Sequence, residues 1–507
     1  MSKSREQRVA KGTANSQYRA FEPVVKKVKL SDEYLSRKIC PSIEAAVRAC
    51  GLEDGMTVSF HHSYRGGDFV LNMVMDVLAG MGFHNLTVAA SSLSGCHDPM
   101  IAHIRNGVVR KIYTSGLRGK LGEFISQGHM EEPVQIHSHG GRVQLMQSGE
   151  LVPDVAFLAV PSCDSFGNAC GYIGNNICGS LGYAKADAQF ARKVVLVTEA
   201  VKPYPHSPAG VYQDQVDYIV VVDAVGDSSK IGAGSTRMTT NPRELLIARR
   251  AADVIEKSGY FHDGFSLQTG SGGASLAVTR FLEDKMRRQN IRASFALGGI
   301  TASMVDLHEK GLIEKLIDVQ SFDSVAAASL ERNPGHIEIS ANQYANFGSK
   351  GASVERLDVV VLSALEIDTE FNVNVITGSD GIIRGASGGH SDTASGARLA
   401  MIVAPLVRGR IPTVVKDVLT TVTPGEHIDI LVTDHGIAVN PKRPKLAARL
   451  HEAGIETVPI EALYQRAVML TGEPDAIRFT ERPVAMIRYR DGSVIDTVYQ
   501  IAAATEG

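Results

Sequence analysis

The sequence predicts an α/β protein built from two tandem open domains with mainly parallel sheets. At 507 residues the chain is too long for one ordinary hydrophobic core. Short runs of β-branched residues alternate with helical stretches, which is typical of parallel strands joined by helices. Hydrophobic residues make up 44% of the chain, enough to fill such cores, and the 49 glycines recur where predicted strands give way to helices.

The first domain is predicted over residues 36–235, after a polar, basic N-terminal arm over residues 1–35. The arm has no apolar segment of the secretory type, and it is expected either to be loose or to bind a partner. The predicted helices are Ser42–Cys50 and Phe69–Met81. The predicted strands are Thr57–Phe60, Leu86–Ala90, Val109–Tyr113, Val134–His137, Val155–Val160, Val194–Thr198 and Tyr218–Val222.

The second domain is predicted over residues 236–507, after a stretch rich in Gly, Ser and Thr that indicates a linker. Asn241 followed by Pro242 predicts a helix start, and Asp491-Gly492 predicts a hairpin turn that closes this domain. The predicted helices are Arg243–Ser258, Ala274–Arg288 and Pro444–Ala453. The predicted strands are Phe265–Gln268, Ser294–Leu297, Ile317–Val319, His336–Ile339, Leu357–Ser363, Val414–Val418, Ile428–Thr433, Ile487–Arg490 and Val494–Val498.

Charge and cysteine content exclude several classes of function. A formal charge of −3 gives no general attraction to nucleic acid or to a membrane surface. Six cysteines are too few for a disulfide framework, although Cys163 and Cys170 could form a redox pair. The apolar run Leu399–Val407 is far shorter than the roughly 18 residues of a membrane span. We therefore expect a cytoplasmic protein, with a mitochondrial transit sequence as the alternative.

Glycine clusters follow the predicted strands, where parallel sheets bind ligands. Backbone N–H groups at such turns can approach an anion, and the following helix adds partial positive charge. A dinucleotide site is disfavoured because Ser275 stands where its fingerprint needs Gly or Ala. Gly385–Gly389 spells a nucleophile elbow, but no clear strand precedes it. Plain tight turns remain the alternative for any single cluster. The clusters are 66–67, 270–273, 298–299, 378–381 and 385–389.

Histidines and arginines follow two of the predicted strands and suggest a pocket for a polyanion. His137 and His139 alternate along one strand and are expected on one face. A metal site is disfavoured because no neighbouring pair of carboxylates completes it, and each His alone could be structural. Three carboxylates at the ends of apolar runs could be catalytic or could cap and pair: Glu366, Asp368 and Asp434.

Several long motifs closely resemble the citrate lyase alpha subunit family, from about residue 36 to the end of the chain. They are Ser59–Asp68, Tyr113–Gly119, Gln135–Val143, Asp154–Tyr172, Lys230–Arg249, Leu267–Arg287 and Val432–Pro441. A more distant similarity links four stretches to coenzyme A transferases: Leu267–Val278, Ser363–Asn374, Gly385–Asp392 and Val432–Ala438. The resemblance implies two α/β domains of coenzyme A transferase type.

The resemblance also implies an activity and partners. The enzyme would exchange the acetyl group of an acetyl acyl carrier for citrate, giving citryl carrier and acetate. The acyl carrier (gamma) subunit would bring a coenzyme-A-derived prosthetic group, for which acetyl-CoA or CoA can substitute, and a citryl-cleaving (beta) subunit would act next. No covalently bound cofactor, metal, nucleic acid or membrane is expected. A homo-oligomer within the complex is expected.

The related coenzyme A transferases use a glutamate nucleophile, whose position falls near Gly298 when the sequences are registered on Val305–Leu307. No carboxylate lies between Arg292 and Asp306. The resemblance therefore implies direct exchange in a ternary complex, through a mixed anhydride and without an enzyme nucleophile.

We assign the candidate site residues on this basis. Gly298 and Gly299 would leave room where a nucleophile otherwise stands, and Gly388 and Gly389 would serve the thioester carbonyl. The thioester and pantetheine arm would meet Gly270, Ser271, Gly272, Gly273 and His390. Citrate would meet His61, His62, Arg65, His137, His139 and Arg142. The alternatives are a coenzyme A transferase or thioester hydrolase for another small acid, citramalate being the nearest, and a non-catalytic scaffold that docks a carrier.

Overall fold

Two large parallel sheets organise the computed structural model, which describes residues 31–232, 239–270 and 272–502. Strands up to residue 221 are β1 Ile39–Cys40, β2 Thr57–Phe60, β3 Leu86–Ala90, β4 Val109–Thr114, β5 Val134–His137, β6 Val155–Val160, β7 Ser162–Asp164, β8 Ala169–Cys170, β9 Lys193–Thr198, β10 Val201–Lys202 and β11 Tyr218–Val221. The later strands are β12 Ser266–Thr269, β13 Ala293–Ile300, β14 Ile313–Ser321, β15 His336–Glu338, β16 Val359–Leu362, β17 Glu366–Asp368, β18 Val373–Asn374, β19 Leu399–Val403, β20 Val407–Arg408, β21 Ile411–Pro412, β22 Val414–Val415, β23 Ile430–Val432, β24 Ile437–Val439, β25 Phe479–Arg488 and β26 Val494–Ile501.

The α-helices among the described residues cover the faces of these sheets. They are α1 Asp32–Leu35, α2 Ile43–Cys50, α3 Val70–Gly80, α4 Met100–Arg105, α5 Lys120–Ser126, α6 His139–Ser148, α7 Gly182–Phe190, α8 Pro242–Lys257, α9 Gly273–Gln289, α10 Ala302–Glu309, α11 Ser324–Arg332, α12 Ala341–Ala345, α13 His390–Gly396, α14 Pro444–Glu452 and α15 Ile460–Thr471. Within the described ranges, no helix is both long and apolar enough to cross a membrane.

The first sheet has ten strands in the order β1-β11-β9-β6-β2-β3-β4-β5-β25-β26, and the second has eight in the order β15-β14-β13-β12-β16-β19-β23-β24. Every pairing in the first sheet is parallel except that between β25 and β26. Separate buried cores pack against the two sheets. The predicted α/β class with mainly parallel sheets is confirmed.

The C-terminal hairpin corrects one prediction. Ala485–Arg488 pairs in parallel with Val134–His137, so the hairpin extends the first sheet and does not close the second. Val484, Ile487 and Val498 accordingly pack into the first core. The hairpin pattern itself was visible in the sequence, but the alternation of apolar residues does not specify which sheet edge receives it. The domain boundaries at residues 35 and 235 remain predictions.

The two halves meet where the carboxyl ends of the strands of each sheet face one another. Gly116 and Ala386 form a bridge, and the Ser387 amide donates to the Ser115 carbonyl at 2.7 Å. The side-chain Nε2 of Gln320, near the end of β14, donates to the His62 carbonyl at 2.9 Å. The loops that follow several strands are thereby brought together where the two halves meet, and we call this region the cleft.

Candidate active site

A stack of imidazole and phenol rings lies on the first-sheet side of the cleft. The His62 and His139 ring centroids are 5.5 Å apart, and each lies 4.6 Å from the ring of Tyr183. Burial, with help from neighbouring arginines, lowers the pKa of His139 to about 3 and that of His62 well below its usual value. At neutral pH both rings are therefore uncharged hydrogen-bonding groups.

Two arginines stand beside these rings without a carboxylate partner among the described ion pairs. The Arg65 guanidinium lies over the Phe322 ring, 4.5 Å from its centroid, and Arg118 lies at the exposed rim. Burial and the charge of Arg118 lower the pKa of Arg65 to about 10, so it stays cationic at neutral pH. Unpaired cations beside neutral imidazoles suit an anion with several carboxylates.

Local sequence explains how Arg65 reaches the cleft. Tyr64-Arg65-Gly66-Gly67 makes a tight turn after β2, in which Arg65 has a φ of 53°. That left-handed conformation is costly for a residue with a side chain and is often kept at functional sites. A Cβ at Gly67 would lie 2.2 Å from the Asp227 carbonyl oxygen, so only glycine allows this approach.

His139 corrects a second prediction, because it does not lie on the strand with His137. Ser138 ends the strand and caps α6, its Oγ accepting from the Gly141 amide at 2.9 Å, and His139 is the first helical residue. His137 is fully buried, and its Nδ1 lies 3.0 Å from the Ser138 carbonyl oxygen. The two rings therefore do not share one strand face.

Glycine backbone forms the second-sheet side. The Gly388 carbonyl accepts from the His139 amide at 2.8 Å, and a Cβ at Gly388 would lie 3.6 Å from His139 Nε2. A Cβ at Gly389 would lie 2.5 Å from the Tyr344 hydroxyl, which accepts a hydrogen bond from Gln268 Nε2 at 2.8 Å. The glycine pair thus lies between the imidazoles and a buried amide.

Gly298 and Gly299 lie at a register shift between β13 and β14. A Cβ at Gly298 would lie 2.6 Å from the Gln268 side-chain carbon, and one at Gly299 would lie 2.2 Å from the Phe322 ring. The room expected there is therefore filled by Gln268 and Phe322, which corrects the vacancy prediction. The side chain beside Gly298 is an amide, which cannot act as the carboxylate nucleophile would.

The glycine turn after β12 leads into α9. The Gly270 amide donates to the Val361 carbonyl at 2.7 Å, and Gly272 precedes the first helical residue Gly273 without a side-chain cap. The Thr269 and Ser275 hydroxyls are buried without a hydrogen-bond partner. The uncapped N–H groups at this helix start suit a carbonyl oxygen or an anion. Ser271 falls outside the described residues, as does the N-terminal arm up to residue 30.

Three other candidates have hydrogen-bond partners inside the fold, and their contact with a ligand remains a prediction. His61 lies 2.9 Å from the Ala159 carbonyl oxygen and 3.1 Å from Ser63 Oγ. His390 lies 2.7 Å from Thr423 Oγ1 and 3.0 Å from the Ser363 carbonyl oxygen. Arg142 is only 1% exposed and pairs with Asp187.

Sequence reasoning missed several residues of the cleft. Arg118 follows β4 inside a motif that already stood out, so its position after a strand was available as a signal. Phe322 follows β14 and Gln268 lies near the end of β12, yet neither residue type signals chemistry. Tyr183 lies at the start of α7, and no neighbouring sequence motif indicated that it would reach the cleft.

Metal binding finds no support in the described residues, where no group of three or more His, Cys, Asp or Glu side chains could hold an ion. The six cysteines, all within the described ranges, are free thiols. Cys163 and Cys170, for which a redox pair was only one possibility, therefore do not form a disulfide. The described groups that line the cleft are arginines, neutral rings and backbone amides.

Comparison with known proteins gives a consistent family. The model of the family "Citrate lyase, alpha subunit (CitF)" matches residues 36–501. The citrate lyase alpha chain of Escherichia coli K12 is 71% identical over 482 residues, covering 95% of this chain and 94% of that protein.

Solved structures agree. An alpha subunit of citrate lyase from Streptococcus mutans, solved in complex with citrate, is 52% identical with a TM-score of 0.91, covering 95% of this chain and 93% of that one. A 4-hydroxybutyrate CoA-transferase from Porphyromonas gingivalis, 19% identical, has a TM-score of 0.54 and covers 85% of this chain and 97% of that one. The latter likeness concerns the fold alone.

Proposed function

The chain belongs to the citrate lyase alpha subunit family, and on that premise we propose that it exchanges the acetyl group of an acetyl acyl carrier for citrate by direct transfer within its inter-domain cleft. The alpha subunit of citrate lyase has citrate:acetyl-acyl-carrier transferase activity, and the family match spans nearly the whole chain. The products are the citryl carrier and acetate, so citrate enters the cleavage reaction as a thioester.

The reaction needs two acyl transfers. A citrate carboxylate oxygen attacks the acetyl carbonyl, the carbon–sulfur bond breaks, and a mixed anhydride and a carrier thiolate result. The thiolate then attacks the citryl carbonyl, and acetate leaves with the electron pair of the broken anhydride bond. Both nucleophiles come from the substrates, so the protein needs to supply only position, charge stabilisation and protection from water.

The observation that carries the proposal is the chemistry on the two sides of the cleft. Arg65 and Arg118 lie on one side without carboxylate partners, beside the neutral imidazoles of His62 and His139. Cations of this kind would hold citrate's carboxylates by charge-assisted hydrogen bonds. Glycine backbone and the Gln268 amide occupy the other side, and an amide does not compete with citrate as the nucleophile.

The glycine turns would act as donors to the oxyanions of the two tetrahedral intermediates. The uncapped start of α9 at Gly272 and Gly273 suits the thioester carbonyl, and Gly388 and Gly389 lie next to His139 across the cleft. Each well-placed donor is worth about 3–4 kcal/mol of transition-state stabilisation. Holding citrate next to the thioester contributes on the order of 7–11 kcal/mol more.

The partners follow from the family. The acyl carrier (gamma) subunit would present its coenzyme-A-derived group to the cleft, and the beta subunit would cleave the citryl carrier to oxaloacetate and acetyl carrier. We further propose that the chain itself carries no covalent cofactor, acts in the cytoplasm and assembles as a homo-oligomer within the complex.

The test is an exchange assay with the purified chain. Acetyl-CoA, or the acetyl carrier, is incubated with isotopically labelled citrate or with labelled citramalate, and the labelled thioester is measured. We expect citryl-CoA and acetate in equal amounts, without a covalent acyl-enzyme on intact-mass analysis. Preferential exchange with citramalate would reassign the substrate, and hydrolysis without exchange would indicate a thioesterase. No exchange with either acid, carrier included, would contradict the transferase and leave a docking scaffold.

A matched pair of variants ties the activity to the cleft. Arg65→Ala removes a cleft cation, whereas Arg48→Ala removes a cation that forms only a surface pair with Glu44. The citrate KM should rise in the Arg65 variant and stay at the wild-type value in the Arg48 variant. Equal behaviour of the two variants would move citrate binding elsewhere.

A further inference from the structure

A buried carboxylate from the second half holds the helix that carries His139. Asp392 lies on α13, three residues after Gly389, and is fully buried. Its Oδ1 accepts from the Ser138 hydroxyl at 2.8 Å, and its Oδ2 accepts from the Gly140 amide at 2.8 Å. The acid thus spans the join between the two halves at the start of α6.

The same segment makes a further contact with this helix start. The Gly388 carbonyl accepts from the His139 amide at 2.8 Å. A Cβ at Gly140 would lie 2.0 Å from the Ala345 carbonyl oxygen and 2.8 Å from Asp392 Oδ1, so glycine is needed for this approach. Backbone on both sides of the His139 Cα is therefore fixed by Gly388 and Asp392, which leaves the imidazole facing His62 and Tyr183.

The groups that face Asp392 determine its charge. Arg490 Nε lies 3.9 Å from Oδ1 without a hydrogen bond, and the phenols of Tyr183, Tyr344 and Tyr489 lie close enough to interact. Burial raises the pKa of Asp392 to about 6, against the opposing effects of the Gly140 amide, Arg490 and Ser138. The positive end of α6 favours the ionised form.

We propose that ionised Asp392 is a positioning residue for citrate transfer: it holds the first turn of α6 from the opposite half so that His139 faces the citrate pocket, and its protonation weakens that hold. The inference rests on the proposed function, because its main readout is citrate transfer. Asp392 itself does not contact substrate and acts through His139.

A positioning role and a merely structural role predict opposite effects on stability. An acid whose pKa rises on folding binds protons more readily in the folded state, so it lowers stability as pH rises from about 4 to about 6. Asp392→Asn removes this buried charge while keeping the side chain's shape. It should therefore leave the unfolding midpoint at pH 8 unchanged or raised, although transfer is impaired.

The experiment compares Asp392→Asn with wild type and with Asp358→Asn in transfer assays from pH 5.5 to 8. Asp358 is a buried carboxylate of the same half that accepts from the Ser266 amide, at the opposite end of the strands. At pH 8 we expect the citrate KM of Asp392→Asn to be roughly tenfold above wild type, with the acetyl-CoA KM within about twofold. The control variant should keep the wild-type citrate KM.

The citrate KM of Asp392→Asn is divided by that of wild type at each pH, because this ratio cancels the effect of citrate's own titration. This ratio should fall toward one at pH 5.5, where Asp392 is also protonated in wild type. A ratio that stays constant with pH, or equals one throughout, would overturn the proposal. Loss of both transfer and thermal stability in Asp392→Asn would overturn it too, in favour of a structural role.

Ser138→Ala provides a second, independent arm of the test. It removes one donor to the ionised carboxylate, so the acid limb of transfer should move to higher pH by about half a unit to one unit. An unmoved limb would contradict the proposal. Absence of transfer in wild type at every pH would instead refute the proposed function, which separates the two failures.

Discussion

Two groups of basic residues in the first half follow strands in the same way, but the fold leaves one group unpaired and buries the other in an ion pair. The open cluster consists of His62, Arg65, Arg118 and His139, and the sealed pair is Arg142 with Asp187. Arg142 donates to Asp187 at 3.0 Å, to Ser59 Oγ and to the Ala89 carbonyl, and all four residues are buried. Arg65 instead lies on an aromatic ring, and within the described part of the chain it forms no ion pair with an acid. A cation that the fold leaves unpaired, at the cost of a strained backbone, is available for a ligand.

The largest expected effect falls on the sealed pair. Arg142→Met leaves Asp187 buried without its cation, and breaking such a pair costs about 3–5 kcal/mol of unfolding free energy. Denaturant unfolding measures the loss. The double variant with Asp187→Asn should recover much of it, because the stranded charge is gone. A loss below about 1 kcal/mol would remove the contrast between the two clusters.

The open cluster should respond in binding and not in stability. Arg65→Ala removes charge-assisted hydrogen bonds worth about 1.5–3 kcal/mol, so the citrate KM should rise roughly 10- to 150-fold. Unfolding free energy should change by less than about 1 kcal/mol. Arg65→Lys should lie between, since a lysine keeps the charge but loses the planar fork. Steady-state kinetics measure the KM, and an unchanged value would place Arg65 outside the site.

A substitution beneath the ring that Arg65 covers should raise the citrate KM less than Arg65→Ala does and should cost less stability than Arg142→Met. Gly299→Ala places a Cβ 2.2 Å from the Phe322 ring that Arg65 covers. We expect a severalfold higher citrate KM and a stability loss of about 1–3 kcal/mol from overpacking. Gly80→Ala, in helix α3 with no atom within 4 Å, should be neutral or stabilising. Equal effects of the two variants in thermal unfolding and kinetics would contradict the role of Phe322.

The smallest expected effect concerns pH. The folded pKa of His139 is about 3 against an ordinary value of 6.5, so the unfolded chain binds its proton first as pH falls. Wild type should therefore lose about 1 kcal/mol through this group between pH 7 and 5.5, and His139→Gln should not. Denaturant unfolding at both pH values tests this, with the exposed His84→Gln as control. An identical loss in His139→Gln and wild type would show that the ring is not buried as a neutral group.

Strand positions were predicted well because they depend on local patterning. Thr57–Phe60, Leu86–Ala90, Val134–His137 and Val155–Val160 have identical predicted and observed bounds, each being an apolar run with turn residues around it. Val414–Val418 was predicted too long, and the observed strand is Val414–Val415. Short pairings in loops depend on the neighbouring strand, which a single sequence does not show.

The candidate site was predicted in part. His62, Arg65 and His139 do lie together, and Gly388 contacts His139 as a cleft residue. The strand alternation assigned to His139 failed because Ser138 caps a helix, a local signal that competes with a two-residue period. The vacancy assigned to Gly298 failed because a missing side chain says nothing about which neighbour fills the space.

By itself, the sequence determined the α/β alternation, the glycine turns after the strands and the long motifs that identify the family. Only the tertiary structure decided which histidines and arginines face the cleft. That decision depends on partners distant in sequence: Asp187 neutralises Arg142 from 45 positions away, whereas no acid forms an ion pair with Arg65 among the described residues. Burial and pairing are properties of the packed fold, and they separate a structural charge from one held open for a ligand.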